Sequence, residues 1–261
     1  MLTPENFLAQ IIYALSSSRT VWILSLVCFL IIFPHRFAAQ TLKASAASYV
    51  ELGDKWANRG EFKRAIKTYN LALQFSPRFA VAYFKRGCAR QALGDLSEAI
   101  ADFSQAVEIA PRWAEAYANR AYVYALKQED DQALSDWASA LEINPKLTTA
   151  LYNRGNLRLN RGDLDGALAD FDQVLRSDRA HAMAYNNRGI VKIGKGDVQG
   201  AIADFNQAIK RGNAPEAYGN RGLIRLQQGH RIEANRDFAR SIALKPSVRG
   251  FLEKRIAQIT R

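Results

Sequence analysis

The chain has 261 residues, with 36 lysines and arginines against 25 aspartates and glutamates, so its formal net charge is +11. Apolar residues make up 48% of the sequence, which is enough to bury a core and excludes a wholly disordered chain. Cys28 and Cys88 provide neither a disulfide framework nor the Cys-x-x-Cys spacing of a zinc site. We therefore expect no metal ion and no cofactor. The basic charge favours an acidic partner or a membrane surface.

The first 45 residues are apolar and poor in charge, and we assign them to a separate N-terminal region. Thr3-Pro4-Glu5 has the capping hydroxyl, first-turn proline and acid of a helix start. Apolar residues then follow at helical spacing: Phe7, Leu8, Ile11, Ile12 and Leu15. The sequence predicts an amphipathic helix over residues 4–15, which either lies in a membrane interface or extends the next segment.

The uncharged run Thr20–Phe33 predicts a single transmembrane anchor, with contact to the membrane through residues 1–39 and a linker over Pro34–Ser45. Its fourteen residues would span only ~21 Å, so flanking residues must lengthen the helix to cross a ~30 Å hydrocarbon core. A buried soluble helix is one alternative. A cleaved signal peptide is another, although Glu5 stands where a basic region is expected. The flanking basic residues favour a single-pass protein whose larger domain lies on the cytoplasmic or stromal side.

From Ala46 onward the sequence repeats with a period of 34 residues, in six units with one residue deleted before the last. The fourth place is tyrosine in all units but the fourth, where Leu151 stands, and the eighth place is glycine or alanine. The twentieth place is always alanine, and the twenty-fourth is always aromatic. The units start at Ala46, Ala80, Ala114, Thr148, Ala182 and Pro215. Such a period indicates stacked supersecondary units.

Each unit is predicted to contain two helices. The first helix ends at a glycine in five units and at Gln128 in the third, and the glycines are Gly60, Gly94, Gly162, Gly196 and Gly229. The second helix ends near a proline, although Arg179 and Asn213 replace that proline in repeats four and five. Residues 249–261 carry apolar side chains on one helical stripe and predict a capping helix.

Residues Ala46–Val248 resemble six tetratricopeptide repeats, with the family's aromatic-4, Gly-8, Ala-20, aromatic-24, Ala-27 and Pro-32 pattern. The resemblance implies an all-α fold: a right-handed α-solenoid of six helix-turn-helix repeats over 46–248, a capping helix over 249–261, and the N-terminal membrane helix before them. Pentatricopeptide RNA readers also stack helix pairs, but their period is 35 and they lack this pattern.

The resemblance also implies that the first helices line a concave groove, with places 2, 5, 6, 9, 12 and 13 facing a partner. Place six is asparagine in the last four repeats, and its amide can bind a peptide backbone or bond locally within the array. The candidate partner-binding residues are Lys85, Asn119, Tyr122, Tyr152, Asn153, Asn156, Asn187 and Asn220. Tyr152 and Glu216 stand where chaperone-binding members carry clamp lysines, so we do not expect recognition of a chaperone C-terminus.

Arginine occupies place seven and aspartate place twenty-three in repeats two to six, whereas repeat one has Leu52 and Thr68 instead. Because both charges are missing together, we predict Arg–Asp bridges within each repeat. The alternative is that the arginines form a stripe that binds anionic lipid or nucleic acid.

These features favour a membrane-anchored adaptor that binds protein partners in its groove and helps to assemble or stabilise a membrane complex, with a photosynthetic complex as one candidate. The sequence contains no phosphate-binding glycine loop or nucleophile motif, so we expect no enzyme activity, no catalytic residue and no small-molecule substrate. It also disfavours nucleic acid as a partner. The alternative function is a basic solenoid that binds anionic lipid or nucleic acid through its arginine and lysine rows.

Overall fold

The structure is a computed structural model that describes residues 45–212 and 214–260. Within these residues the chain forms thirteen α-helices, one 3₁₀ turn and no β-strand. The helices are α1 (45–58), α2 (Phe62–Phe75), α3 (Ala80–Leu93), α4 (Leu96–Ile109), α5 (Ala114–Leu126), α6 (Asp130–Ile143), α7 (Thr148–Asn160), α8 (Leu164–Ser177), α9 (Ala182–Gly194), α10 (Val198–Gly212), α11 (Pro215–Gln227), α12 (Arg231–Leu244) and α13 (Arg249–Ile259). They fall into two compact units, one ending at Gly94 and the other beginning at Asp95.

The first unit contains α1, α2 and α3 around the buried side chain of Tyr69. Gly53 on α1 allows this packing, because a Cβ atom there would lie 2.3 Å from the Tyr69 ring. The small residue at place eight and the aromatic residue at place twenty-four therefore bring the two helices of this repeat close together.

The second unit contains α4 to α13. Within it, α5–α6, α7–α8, α9–α10 and α11–α12 pack as pairs, and each pair also contacts the next. The place-twenty-four aromatic residues of these four pairs are buried between their helices, and these are Trp137, Phe171, Phe205 and Phe238. After a 3₁₀ turn at Pro246–Val248, α13 buries Leu252 against α11 and α12. The all-helical repeat architecture is thus confirmed for the described residues, while its handedness stays a prediction.

The helices begin and end at the residues that the sequence predicted. Five first helices begin at the predicted unit starts Ala80, Ala114, Thr148, Ala182 and Pro215. The five turn glycines have φ between +77° and +84°, a left-handed conformation that costs glycine little. Gln128 adopts the same conformation, with φ +62°. In repeat four, where Arg179 replaces proline, the Asp178 carboxylate accepts a hydrogen bond of 2.8 Å from the Ala180 amide and holds the turn.

The predicted single-pass membrane localisation is contradicted. No helix within residues 45–212 and 214–260 is long and apolar enough to cross a membrane. Helices α2 to α13 have 11 to 15 residues, so each is at most about 22 Å long, and each leaves polar side chains exposed. The residues assigned to the amphipathic helix and to the anchor lie outside the described residues.

Candidate protein-binding surface

The first helices of the second unit are held in place by bidentate Arg–Asp bridges. Arg120 binds Asp136 through its Nε and Nη2 atoms at 2.7 and 2.8 Å, and Arg154 binds Asp170 at 3.0 and 2.7 Å. The pairs Arg188–Asp204 and Arg221–Asp237 have the same geometry. All four aspartates are buried. The predicted pairing within a repeat is therefore confirmed at these four positions.

The remaining guanidinium nitrogen of most of these arginines reaches the preceding repeat, which the sequence did not predict. Nη1 donates to place twenty-five, as in Arg120 to Ser104 at 3.0 Å and Arg188 to Asp172 at 2.7 Å. Arg221 binds Asn206 in the same way at 2.6 Å. Place twenty-five of repeat three is Ala138, which has no side-chain acceptor for Arg154.

Basic residues at place eleven share the same aspartates. Arg158 binds Asp170, and Lys192 binds Asp204, each at 2.8 Å. Arg225 binds Asp237 at the same distance. Each of these three buried carboxylates therefore accepts from two cations, so both basic side chains are engaged within the repeat. The alternative of an anion-binding stripe therefore loses its main donors.

We define the binding surface as the side chains at places 2, 5, 6, 9, 12 and 13 of α5, α7, α9 and α11. Its centre is a chain of amide hydrogen bonds. Asn187 donates to Asn156 at 2.6 Å and lies 3.3 Å from the Tyr152 hydroxyl. Asn186 donates to Asn187 at 2.9 Å and accepts from Asn220 at 3.0 Å. The structure thus brings together Tyr152, Asn156, Asn187 and Asn220, and it adds Asn186, which the sequence analysis missed.

Two of the predicted asparagines behave differently from this network. Asn119 donates to the Glu115 carbonyl of its own helix at 2.7 Å, as the local-bonding alternative predicts. Asn153 has no side-chain hydrogen bond to any residue that the structure describes. Its amide therefore stands at the partly exposed centre of α7 with its donors and acceptor available.

Exposed apolar side chains lie on α5 and α9, the two first helices that contact α7. Tyr122 is 40% exposed and Leu126 49% exposed on α5, while α9 exposes Met183, Ile190 and Ile193. All five occupy places of the binding surface, yet only Tyr122 was a predicted site residue. Their exposure could not be read from periodicity alone, because apolar residues on a first helix are more often buried. Exposed apolar side chains that share one surface are typical of protein interfaces.

Tyr152 has a structural role as well. Its ring lies 4.9 Å from the His181 ring and 6.1 Å from the Phe171 ring, so it packs partly against the core. Substitution of Tyr152 would therefore change packing along with any binding. Tyr122 is the better probe of this surface.

Lys85 belongs to the first unit and has a partner there. Its ammonium group lies 3.1 Å from the Asp54 carboxylate, which also accepts a 2.7 Å hydrogen bond from the Tyr69 hydroxyl. Cys88 lines the adjoining cavity of about 270 Å³, and burial raises the pKa of its thiol to about 11. The thiol is therefore protonated at neutral pH, as expected of a small groove residue that is not a nucleophile.

Family comparisons agree with this architecture. A tetratricopeptide-repeat model matches residues 152–215 and 188–248, and a second tetratricopeptide-repeat model matches residues 80–113. No curated protein matches the sequence at a significant level. The chain therefore contains tetratricopeptide repeats, a class whose members are typically scaffolds or adaptors without enzyme activity.

Several solved structures have the same fold. The Pseudomonas aeruginosa pilF structure has a TM-score of 0.69 and 17% identity, over 79% of this chain and 94% of that one. PilW, described as a type IV pilus biogenesis factor, has a TM-score of 0.67 and 19% identity, over 77% and 94% of the two chains. YrrB, described as a tetratricopeptide-repeat protein with an unusual peptide-binding site, has a TM-score of 0.55 and 25% identity, over 63% and 85%.

Proposed function

We propose that this protein is a scaffold that binds an extended segment of a partner protein on the surface formed by α5, α7 and α9. The observation that carries the proposal is the set of exposed apolar side chains on α5 and α9 around the amides of α7. Asparagine amides can bind a peptide backbone through donor and acceptor together, whereas apolar side chains supply affinity when they are covered. The peptide-binding site of YrrB provides a precedent in a protein of the same fold.

A peptide library displayed on phage tests this function with the full chain. Enriched peptides are synthesised, and their affinity for the protein is measured by calorimetry. We expect the double variant Tyr122→Ala with Ile190→Ala to weaken binding at least tenfold, because it removes two exposed apolar contacts. Circular dichroism should show unchanged helicity, since both side chains are exposed.

The matched control removes an exposed aromatic and an exposed isoleucine elsewhere on the second unit. Phe251 is 59% exposed on α13 and Ile232 is 68% exposed on α12. The variant Phe251→Ala with Ile232→Ala should keep the affinity within about twofold, because neither residue lies on the binding surface. Equal losses in both double variants, or no enriched peptide, would count against the proposal.

We keep the finer hypothesis that the partner is a subunit of a larger complex, whether a photosynthetic complex or another membrane assembly. PilW's description as a biogenesis factor provides only an analogy, because 19% identity supports the fold alone. Matching the enriched peptides to candidate subunits, followed by calorimetry with those subunits, tests the hypothesis. The lipid or nucleic-acid alternative lacks support, since the basic rows of the second unit bind its own aspartates.

A further inference from the structure

Three arginines outside the Arg–Asp bridges surround one cavity of about 710 Å³ in the second unit. Arg176 lies at the end of α8, Arg179 in the following turn, and Arg211 near the end of α10. All three side chains are exposed, and none has an acidic partner among the described residues. The cavity thus holds three guanidinium groups available to an incoming ligand.

The acids in the wall of this cavity do not cancel that charge. Asp172 and Asp204 both bind Arg188, and Asp204 also binds Lys192. Two carboxylates are therefore balanced by two cations. The formal charge contributed by Arg176, Arg179 and Arg211 remains +3.

Tyr185 helps to position these groups. The guanidinium carbons of Arg188 and Arg211 each lie 5.4 Å from the centre of the Tyr185 ring. A guanidinium held over an aromatic ring loses less conformational freedom when it binds an anion than a fully mobile one does. The end of α10 therefore presents a partly preorganised donor.

Comparison of the repeats shows that the cluster is specific to one junction. Arg176 and Arg179 occupy places 29 and 32 of repeat four, and Arg211 occupies place 30 of repeat five. The corresponding residues at the junction of repeats three and four carry one acid and no cation: Glu142, Pro145 and Ser177. The common repeat architecture therefore does not require these arginines.

We propose that this cavity binds a phosphate group. The +3 charge of the three guanidinium groups exceeds the single negative charge of a carboxylate. A phosphate monoester matches it better, because it carries about −1.5 to −2 charges and three acceptor oxygens. A free phosphate compound or a phosphorylated side chain of a protein could supply the group. The site uses residues distinct from those of the peptide-binding surface, so it stands independently of the proposed function.

Calorimetry with the full chain at fixed ionic strength tests the site. The probes are inorganic phosphate, a short peptide with one phosphoserine, and the same peptide with serine. We expect the serine peptide to bind at least tenfold more weakly than its phosphorylated form. Tighter binding of the phosphopeptide than of phosphate would assign the ligand to a protein, and equal affinity would assign it to the phosphate group alone.

Matched variants distinguish phosphate binding in this cavity from attraction to the overall positive charge of the protein. Arg176→Gln with Arg179→Gln and Arg211→Gln should weaken phosphate binding at least tenfold. The control carries Gln at three exposed arginines of α12, which are Arg231, Arg236 and Arg240, and should stay within twofold. Equal losses in the two triple variants, or equal binding of the phosphorylated and serine peptides, would overturn the proposal, as would no binding of any phosphate probe.

A single variant keeps the test valid if the triple variant fails to fold. Arg179→Pro restores the proline that repeats one to three carry at this place. The backbone suits it, because Asp178 has φ −132° and ψ 94°, close to the −131° and 90° of Asn144 before Pro145. We expect a normal melting curve and phosphate binding weakened about threefold. Unchanged binding would overturn the proposal, because one of the three arginines that line the cavity would contribute nothing to binding.

Discussion

At the residue scale, each place-seven arginine of the second unit joins an aspartate of its own repeat, and most also reach the repeat before it. Arg120 binds Asp136 with two nitrogens and Ser104 with the third, and hydrogen bonding to Asp136 raises the pKa of this guanidinium. Its charge also lies 5.5 Å from the ring of Tyr117. Such a group sets the angle between helices more than it adds net stability, because desolvation of both charges offsets their attraction.

The pair Arg120–Asp136 allows this balance to be measured. Arg120→Met should lower the free energy of unfolding by about 3–5 kcal/mol, because it leaves a carboxylate that is only 10% exposed without its counter-charge. The double variant Arg120→Met with Asp136→Leu should be less destabilised than Arg120→Met alone. Urea unfolding followed by circular dichroism gives both values. Additive losses in the double variant would show that the bridge does not act as a coupled pair.

At the element scale, the turns between the two helices of a repeat follow from single residues. The sequence predicted five glycine turns and one exception, and all six residues have positive φ. Gln128 lacks the advantage of glycine in this region, because its Cβ crowds the backbone. The third repeat therefore carries local strain that the other repeats avoid.

Exchange of glycine and glutamine between two turns tests this strain. Gln128→Gly should raise the free energy of unfolding by about 0.5–1 kcal/mol, after the greater freedom of glycine in the unfolded chain is included. The reciprocal change Gly162→Gln should lower it, and no neighbouring atom lies within 4 Å of a Cβ there to confuse the result. Thermal melting checks both, with shifts of roughly 2–4 °C per kcal/mol. Shifts of the same sign would contradict the argument.

The repeat period located the helices, yet the site was only partly predictable. Asn156 and Asn187 share a face of consecutive repeats, so their proximity followed from the pattern. The role of Asn186 did not, because place five differs in every repeat and one of its two partners, Asn220, comes from the next first helix, α11. The hydrogen bonds from the place-seven arginines to place twenty-five could not be predicted either, since the acceptors Ser104, Asp172 and Asn206 are three different residue types.

At the scale of the whole molecule, the second unit is stabilised by contacts between neighbouring repeats and closed at its end by α13. Leu252 is 2% exposed and packs with Leu223 and Phe238. In a stacked array, stability is close to a sum of terms for each repeat and each interface. Loss of one interface should therefore be felt most by the repeat that it covers.

Leu252→Ala tests this local dependence. Removal of a buried leucine side chain typically costs about 2–5 kcal/mol, so we expect hydrogen exchange to accelerate in α11, α12 and α13. Peptides from α5 to α8 should change much less, because the cluster around Leu252 is built from α11, α12 and the residues after them. Phe251→Ala is the matched control. Phe251 is next to Leu252 in the sequence, but its own side chain is 59% exposed, so this variant should leave hydrogen exchange nearly unchanged. Uniform acceleration from α5 to α13 would mean instead that the unit unfolds as one cooperative body.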